Sequence, residues 1–133
     1  MEQTVKTAER GWAAHFAMAN RCLFHRNTLV EYKYVKVVVS TVGLCIEKFE
    51  YNRQHTFTKI GHNRYYETKV FIADDTEFHD ADASQQLDAD YPDEPILWDE
   101  INANNIHDRM VEKWKKEIKK IRVEITKTYE YEE

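Results

Sequence analysis

Three short segments of the chain place side chains that hold phosphates beside side chains that stack on bases. In Arg21-Cys22-Leu23-Phe24-His25-Arg26-Asn27-Thr28, strand alternation puts Phe24 and Arg26 on one face and His25 and Asn27 on the other. An aromatic face can stack a purine and a guanidinium fork can hold a phosphate. The bland alternative is an ordinary cross-strand polar surface. Ser40-Thr41-Val42-Gly43 leads hydroxyls into a glycine; at a strand end such a turn offers backbone N–H groups and close approach to an anion. Gly61-His62-Asn63-Arg64-Tyr65-Tyr66-Glu67-Thr68 hands Arg64 and two tyrosines to a strand. Arg64 there either meets a ligand or pairs with Glu67 or another acid.

Catalysis finds no comparable set. The chain has no GxGxxG, P-loop, GxSxG, HExxH or paired CxxC. Its six histidines, at 15, 25, 55, 62, 79 and 107, form no i,i+4 pair. His79 with Asp80 and Asp82 has the donor types of a metal site but reads better as an exposed acidic strand end. Cys22 and His25 read poorly as nucleophile and base, because three residues along a strand their side chains point to opposite faces. No cofactor and no metal is expected.

The elements that position these segments follow from periodicity. Trp12 to Met18, Cys22 to Val30, Val35 to Leu44 and Tyr65 to Ala73 alternate or are β-branched, and Glu77 to Ala83 makes a short fifth strand. Glu47 to Lys59 reads as a long connection. From Asn102, the residues Ile106, Met110, Trp114, Ile118, Ile121 and Ile125 recur at spacings of four and three. That is the stripe of an amphipathic helix capped by Asn102, with Lys119, Lys120 and Arg122 at its negative end and Glu112–Lys116 paired on its wet face. Val123 to Tyr131 is either its continuation or a terminal strand. The expectation is one α+β domain over 1–133: an antiparallel sheet of four to five strands over about 12–83, an acidic loop over 84–101, and a long C-terminal amphipathic helix over about 102–124. Such a helix is longer than the sheet needs for cover, which suggests that its stripe joins subunits.

Composition narrows the classes. With 133 residues and a net charge of −5, the chain has the size of one domain. Its 42% apolar content and only 3 Gly and 2 Pro exclude collagen-like and disordered classes. No apolar run reaches the roughly 20 residues of a membrane helix, and the first twenty residues show no secretory pattern. Two cysteines are too few for a disulfide framework and suit a reducing cytoplasm. Charge is uneven: residues 71–100 hold 11 acidic side chains and no basic one. An acidic middle disfavours an extended nucleic-acid groove but leaves room for a small anionic ligand.

At the same segments the chain resembles a family of small phage proteins. The shared words are Arg10-Gly11-Trp12 with His15-Phe16, Asn20-Arg21-Cys22 through Arg26-Asn27-Thr28-Leu29, and Val39-Ser40-Thr41-Val42-Gly43. They continue with Gly61, Arg64-Tyr65-Tyr66-Glu67-Thr68, Asp80-Ala81-Asp82, and Asn105 with His107. These resemble the first-described Thoeris anti-defence proteins, over roughly residues 10–112. The segment 47–59 is longer than that pattern.

The resemblance implies a non-enzymatic phage protein that acts in the cytoplasm of the infected bacterium. It would sequester glycocyclic ADP-ribose signals made by TIR-domain enzymes, and cyclic trinucleotides of CBASS defence, without cleaving them. It further implies a homo-oligomer, a hexamer built as a trimer of dimers. Two separate sites are then expected. A cyclic trinucleotide would be held on a three-fold axis by Ser40, Thr41, Gly43 and Arg64. A glycocyclic ADP-ribose would be held elsewhere by Phe24, Arg26, Trp98, Asn105, His107 and Arg109. Two rivals stand beside this reading: a small hydrolase of cyclic nucleotides using His25, His62 or His107 as base, and an interaction protein that inhibits a host enzyme through its acidic segment.

Overall fold

A computed structural model of the chain describes residues 4–10, 22–33, 35–48, 56–58, 65–73, 81–90 and 100–132. They form β1 (Lys6–Arg10), β2 (Cys22–Tyr32), β3 (Val35–Lys48), β4 (Thr56–Thr58), β5 (Tyr66–Ala73), β6 (Ala81–Asp90) and one helix, α1 (Glu100–Glu132). The strands make one antiparallel sheet in the order β1-β2-β3-β5-β6, with the short β4 paired to the far end of β3. The α+β arrangement expected from periodicity is therefore the one found.

β3 is central because its β-branched residues suit burial on both faces. Val37, Val38, Val39 and Val42 are all fully or nearly fully buried. Its first half pairs with β5, from Val37↔Ile72 to Gly43↔Tyr66, and its second half with β4. The change of partner falls at Leu44, which has φ 54° and whose N–H donates to the Tyr65 carbonyl at 3.0 Å. Gly43 is required beside it: a Cβ there would lie 2.0 Å from the Tyr66 ring.

Directly opposed residues share a face, so one face carries Glu9, Arg26, Thr28, Val30, Val37, Val39, Thr41, Thr68 and Val70 in register. α1 lies on that face. Its inward residues Ala103, His107, Met110, Trp114 and Ile118 are buried, at spacings of four, three, four and four. Met110, Trp114 and Ile118 close a core with Val30, Val35, Val37, Val39 and Val70. The opposite face buries Leu29, Val38 and Ala73 together.

Several boundaries differ from the sequence expectation. The strand expected at Trp12 to Met18 lies outside the described residues, and the sheet instead begins at Lys6. β3 runs to Lys48, and β4 falls inside the expected connection 47–59. The acidic loop expected over 84–101 is strand as far as Asp90. Its acids misled the reading because Asp88 is tied to α1 rather than left to water alone: its carboxylate accepts from Trp114 Nε1 at 2.9 Å and Lys113 Nζ at 2.7 Å. The helix starts at Glu100 and continues to Glu132, about 50 Å. Asn102 therefore lies within the first turn, and Lys119, Lys120 and Arg122 lie mid-helix rather than at its end. The tail is helix, not strand. Glu112 pairs with Lys115, not Lys116. The stripe residues Met110, Trp114 and Ile118 lie on the chain's own sheet. Among the described residues, no helix is long and apolar enough to cross a membrane.

Candidate functional site

Under the N-terminal half of α1 the sheet turns from valine to threonine, and the helix answers with a histidine. His107 is fully buried. Its Nε2 lies 2.7 Å from Thr28 Oγ1 on β2, and its Nδ1 lies 2.7 Å from Thr41 Oγ1 on β3. Thr41 Oγ1 lies in turn 2.7 Å from Thr68 Oγ1 on β5. Thr28 donates to the Glu9 carboxylate on β1. Glu9 also accepts from Arg26 Nε at 2.9 Å, while Arg26 Nη1 donates to Asp108 at 2.8 Å and Asn104 at 3.1 Å on α1. Four strands and the helix meet in one polar chain.

Counting protons orients this chain. Burial alone pushes the Glu9 carboxyl up, but hydrogen bonds from Arg26 and Thr28, with the Arg26 charge, outweigh it and hold it below the usual range. An ionised Glu9 is acceptor only, so the Thr28 hydroxyl gives it its one proton and must accept from His107 Nε2–H. The neutral ring then offers a bare Nδ1 to the Thr41 hydroxyl, and Thr41 accepts from Thr68. One tautomer satisfies every member. Burial, and then the Arg26 charge, lower the His107 pKa from 6.5 to about 4 despite the opposing pull of Glu9 and Asp108. His107 is neutral at pH 7.

The expected trinucleotide residues do not converge among the described residues. Ser40 and Thr41 are both buried but, as strand neighbours, point to opposite faces. Gly43 lies inside β3 rather than at its end, with the Tyr66 ring over it. Arg64 lies outside the described residues. Of the glycocyclic ADP-ribose set, Phe24 is buried and packs edge-on against Tyr66 with ring centroids 6.1 Å apart. Arg26 keeps about a quarter of its side chain exposed (27%). Asn105 and Arg109 sit four residues apart on the exposed side of α1, and their side chains make no hydrogen bond or ion pair with a described residue. Trp98 lies outside the described residues.

His107 joins the two expected sites instead of serving one of them, because it bonds Thr41 from the first set and connects through Thr28 and Glu9 to Arg26 in the second. Sequence reasoning missed Glu9, Thr68, Asn104 and Asp108 as members. A signal existed for two of them: Asn104 and Asp108 stand four apart, one residue either side of the row holding Asn105 and His107. Glu9 had none, since its place depends on the β1–β2 register.

Elsewhere, Thr4, Lys6, Glu31 and Lys33 line a cleft of about 370 Å³, remote in register from Arg26. No group of three metal-ligating side chains occurs among the described residues. No protein-family model matches the chain, and no curated protein or solved structure is significantly similar to it.

Proposed function

We propose that this protein binds and sequesters small cyclic nucleotide signals of bacterial immunity, glycocyclic ADP-ribose first, and does not cleave them. The reading rests on the motif order that resembles the Thoeris anti-defence proteins. The observation that carries it into the molecule is the donor row on the exposed side of α1, Asn105 and Arg109, without side-chain partners among the described residues, on the same helix whose Asp108 holds the quarter-exposed Arg26. Arg109 supplies an open guanidinium fork for a phosphate, and Asn105 one turn earlier supplies an amide.

Arg26 takes part only by exchange. It is clamped between Glu9 and Asp108, and Asp108 is the more exposed carboxylate, with 62% of its side chain accessible. A ligand phosphate replaces Asp108 on Nη1 while Glu9 keeps Nε. The hydrolase rival loses one of its bases, because His107 is enclosed and both its ring nitrogens are engaged. Capture in the cytoplasm of an infected cell, and assembly into a hexamer, belong to the same proposal.

Calorimetry with glycocyclic ADP-ribose tests it. Binding is expected, with Arg109→Ala weakening it at least tenfold and Asp108→Asn tightening it. Heating the complex should release intact ligand by mass spectrometry. Release of a hydrolysed product would establish the enzyme instead, and no binding at micromolar protein would remove this reading.

A further inference from the structure

The chain's two cysteines are Cys22 and Cys45, and the β2–β3 register sets them directly opposite one another. Both are unbridged thiols, Cys22 7% exposed and Cys45 enclosed. Opposed residues on antiparallel strands have Cα atoms roughly 4.5–5.5 Å apart, within the span of roughly 4.4–6.8 Å that a disulfide accepts. Sharing a face, the two side chains point the same way. The pair stands one register step beyond Phe24↔Gly43 on the same face. Nothing in the proposed ligand site uses it.

We propose that Cys22 and Cys45 form an oxidation site, which a small peroxide converts into a cross-strand disulfide joining β2 to β3. Hydrogen peroxide is the oxidant. One peroxide oxygen passes to the Cys22 sulfur, giving a sulfenic acid and one water. The Cys45 thiol then displaces the hydroxyl as a second water, and the S–S bond forms. Two thiols lose two electrons and two protons, and the peroxide O–O bond takes them up. Cys22 is the attacked sulfur because it is the more exposed, and Cys45 lies in place to resolve it.

A small oxidant is required. Exchange with a bulky disulfide needs a third sulfur in line with Cys22, which its enclosure prevents. Burial, then the neighbouring Cys45, push the Cys22 thiol up to about 12, so little thiolate is present at neutral pH, and both thiol exchange and the reaction with peroxide are slow there and quicken as pH rises. Once formed, the bridge closes a loop over residues 22–45, which contains all of β2 and the part of β3 paired with it. It restricts the unfolded chain without moving the native strands.

The test treats the folded full-length protein with hydrogen peroxide, quenches it with catalase, denatures it and alkylates it with N-ethylmaleimide. Expected is a monomer carrying no maleimide, with the Cys22 and Cys45 peptides linked and lighter by two hydrogens. Dithiothreitol should restore both labelling sites. The oxidised protein should keep its circular dichroism and melt roughly 5–10 °C higher. Two maleimides after oxidation, sulfinic acid in place of the link, or a bridge formed only between chains overturns the proposal. So does a lower melting temperature, which would mean that the bridge distorts the strands. Cys22→Ser and Cys45→Ser must each lose the peroxide-induced rise in melting temperature. A rise that persists in either variant would come from another group and counts against the pair.

Discussion

Under one helix the sheet has two different floors. Toward the C-terminal side, Met110, Trp114 and Ile118 meet Val30, Val37, Val39 and Val70. Toward the N-terminal side, His107 meets Thr28, Thr41 and Thr68, with Glu9 and Arg26 at the rim. The strands are the same; only the side chains change. The valine floor stabilises by area removed from water and tolerates small shifts of the helix. The threonine floor admits one helix register and one tautomer, because a displaced His107 would leave both of its buried ring nitrogens without partners.

The largest expected break is in the apolar half. Trp114→Ala removes a buried indole and one of the donors to Asp88, and should lower unfolding free energy by about 3–5 kcal/mol in urea titration. His107→Ala opens a cavity but leaves Thr28 on Glu9 and Thr41 on Thr68, so about 2–4 kcal/mol is expected from the same measurement. If it equals or exceeds the loss at Trp114, the polar half is a main source of stability and the contrast drawn above fails.

pH sharpens the same comparison. The folded His107 pKa is about 4 against an ordinary 6.5, so the unfolded chain takes up the proton first. Its contribution is complete above pH 6.5 and declines as pH falls to about 4, a loss of about 3 kcal/mol. Glu9 and Asp88 are held below their ordinary 4.5 and 3.8, so their loss sets in only at the acid end of that window. Chemical denaturation at stepped pH should show the decline between 6.5 and 4.5, and His107→Ala should abolish it. Trp114→Ala should keep it.

Smaller effects follow at the edges. Gly43→Ala drives a Cβ into the Tyr66 ring and should destabilise by about 1–3 kcal/mol, with Tyr66→Ala in the same chain recovering part of the loss. Asp108→Asn breaks one rim ion pair while Arg26 keeps Glu9, and should change stability by less than about 1 kcal/mol. A larger loss there would mean that the rim, not the buried chain, holds α1 in register.

The α+β order, the strands β2, β3 and β5 and the helix stripe from Met110 to Ile118 were legible in the sequence, because period and side-chain shape act locally. So was the shared face of Phe24 and Arg26, which alternation alone dictates. β6 was hidden by its acids, since nothing local reveals that Trp114 and Lys113, about 25 residues on, donate to Asp88. Gly43 looked like a strand end because the Tyr66 ring that fills its missing side chain arrives from another strand. His107 was readable as a residue but not as a link: its partners lie 79 and 66 positions away, and Glu9 joins them only through the β1–β2 register. Periodicity is a property of neighbours along the chain, whereas donor–acceptor matching is a property of neighbours in space. The first determined which elements this chain forms, and the second decided that a histidine and three threonines became one closed hydrogen-bond chain.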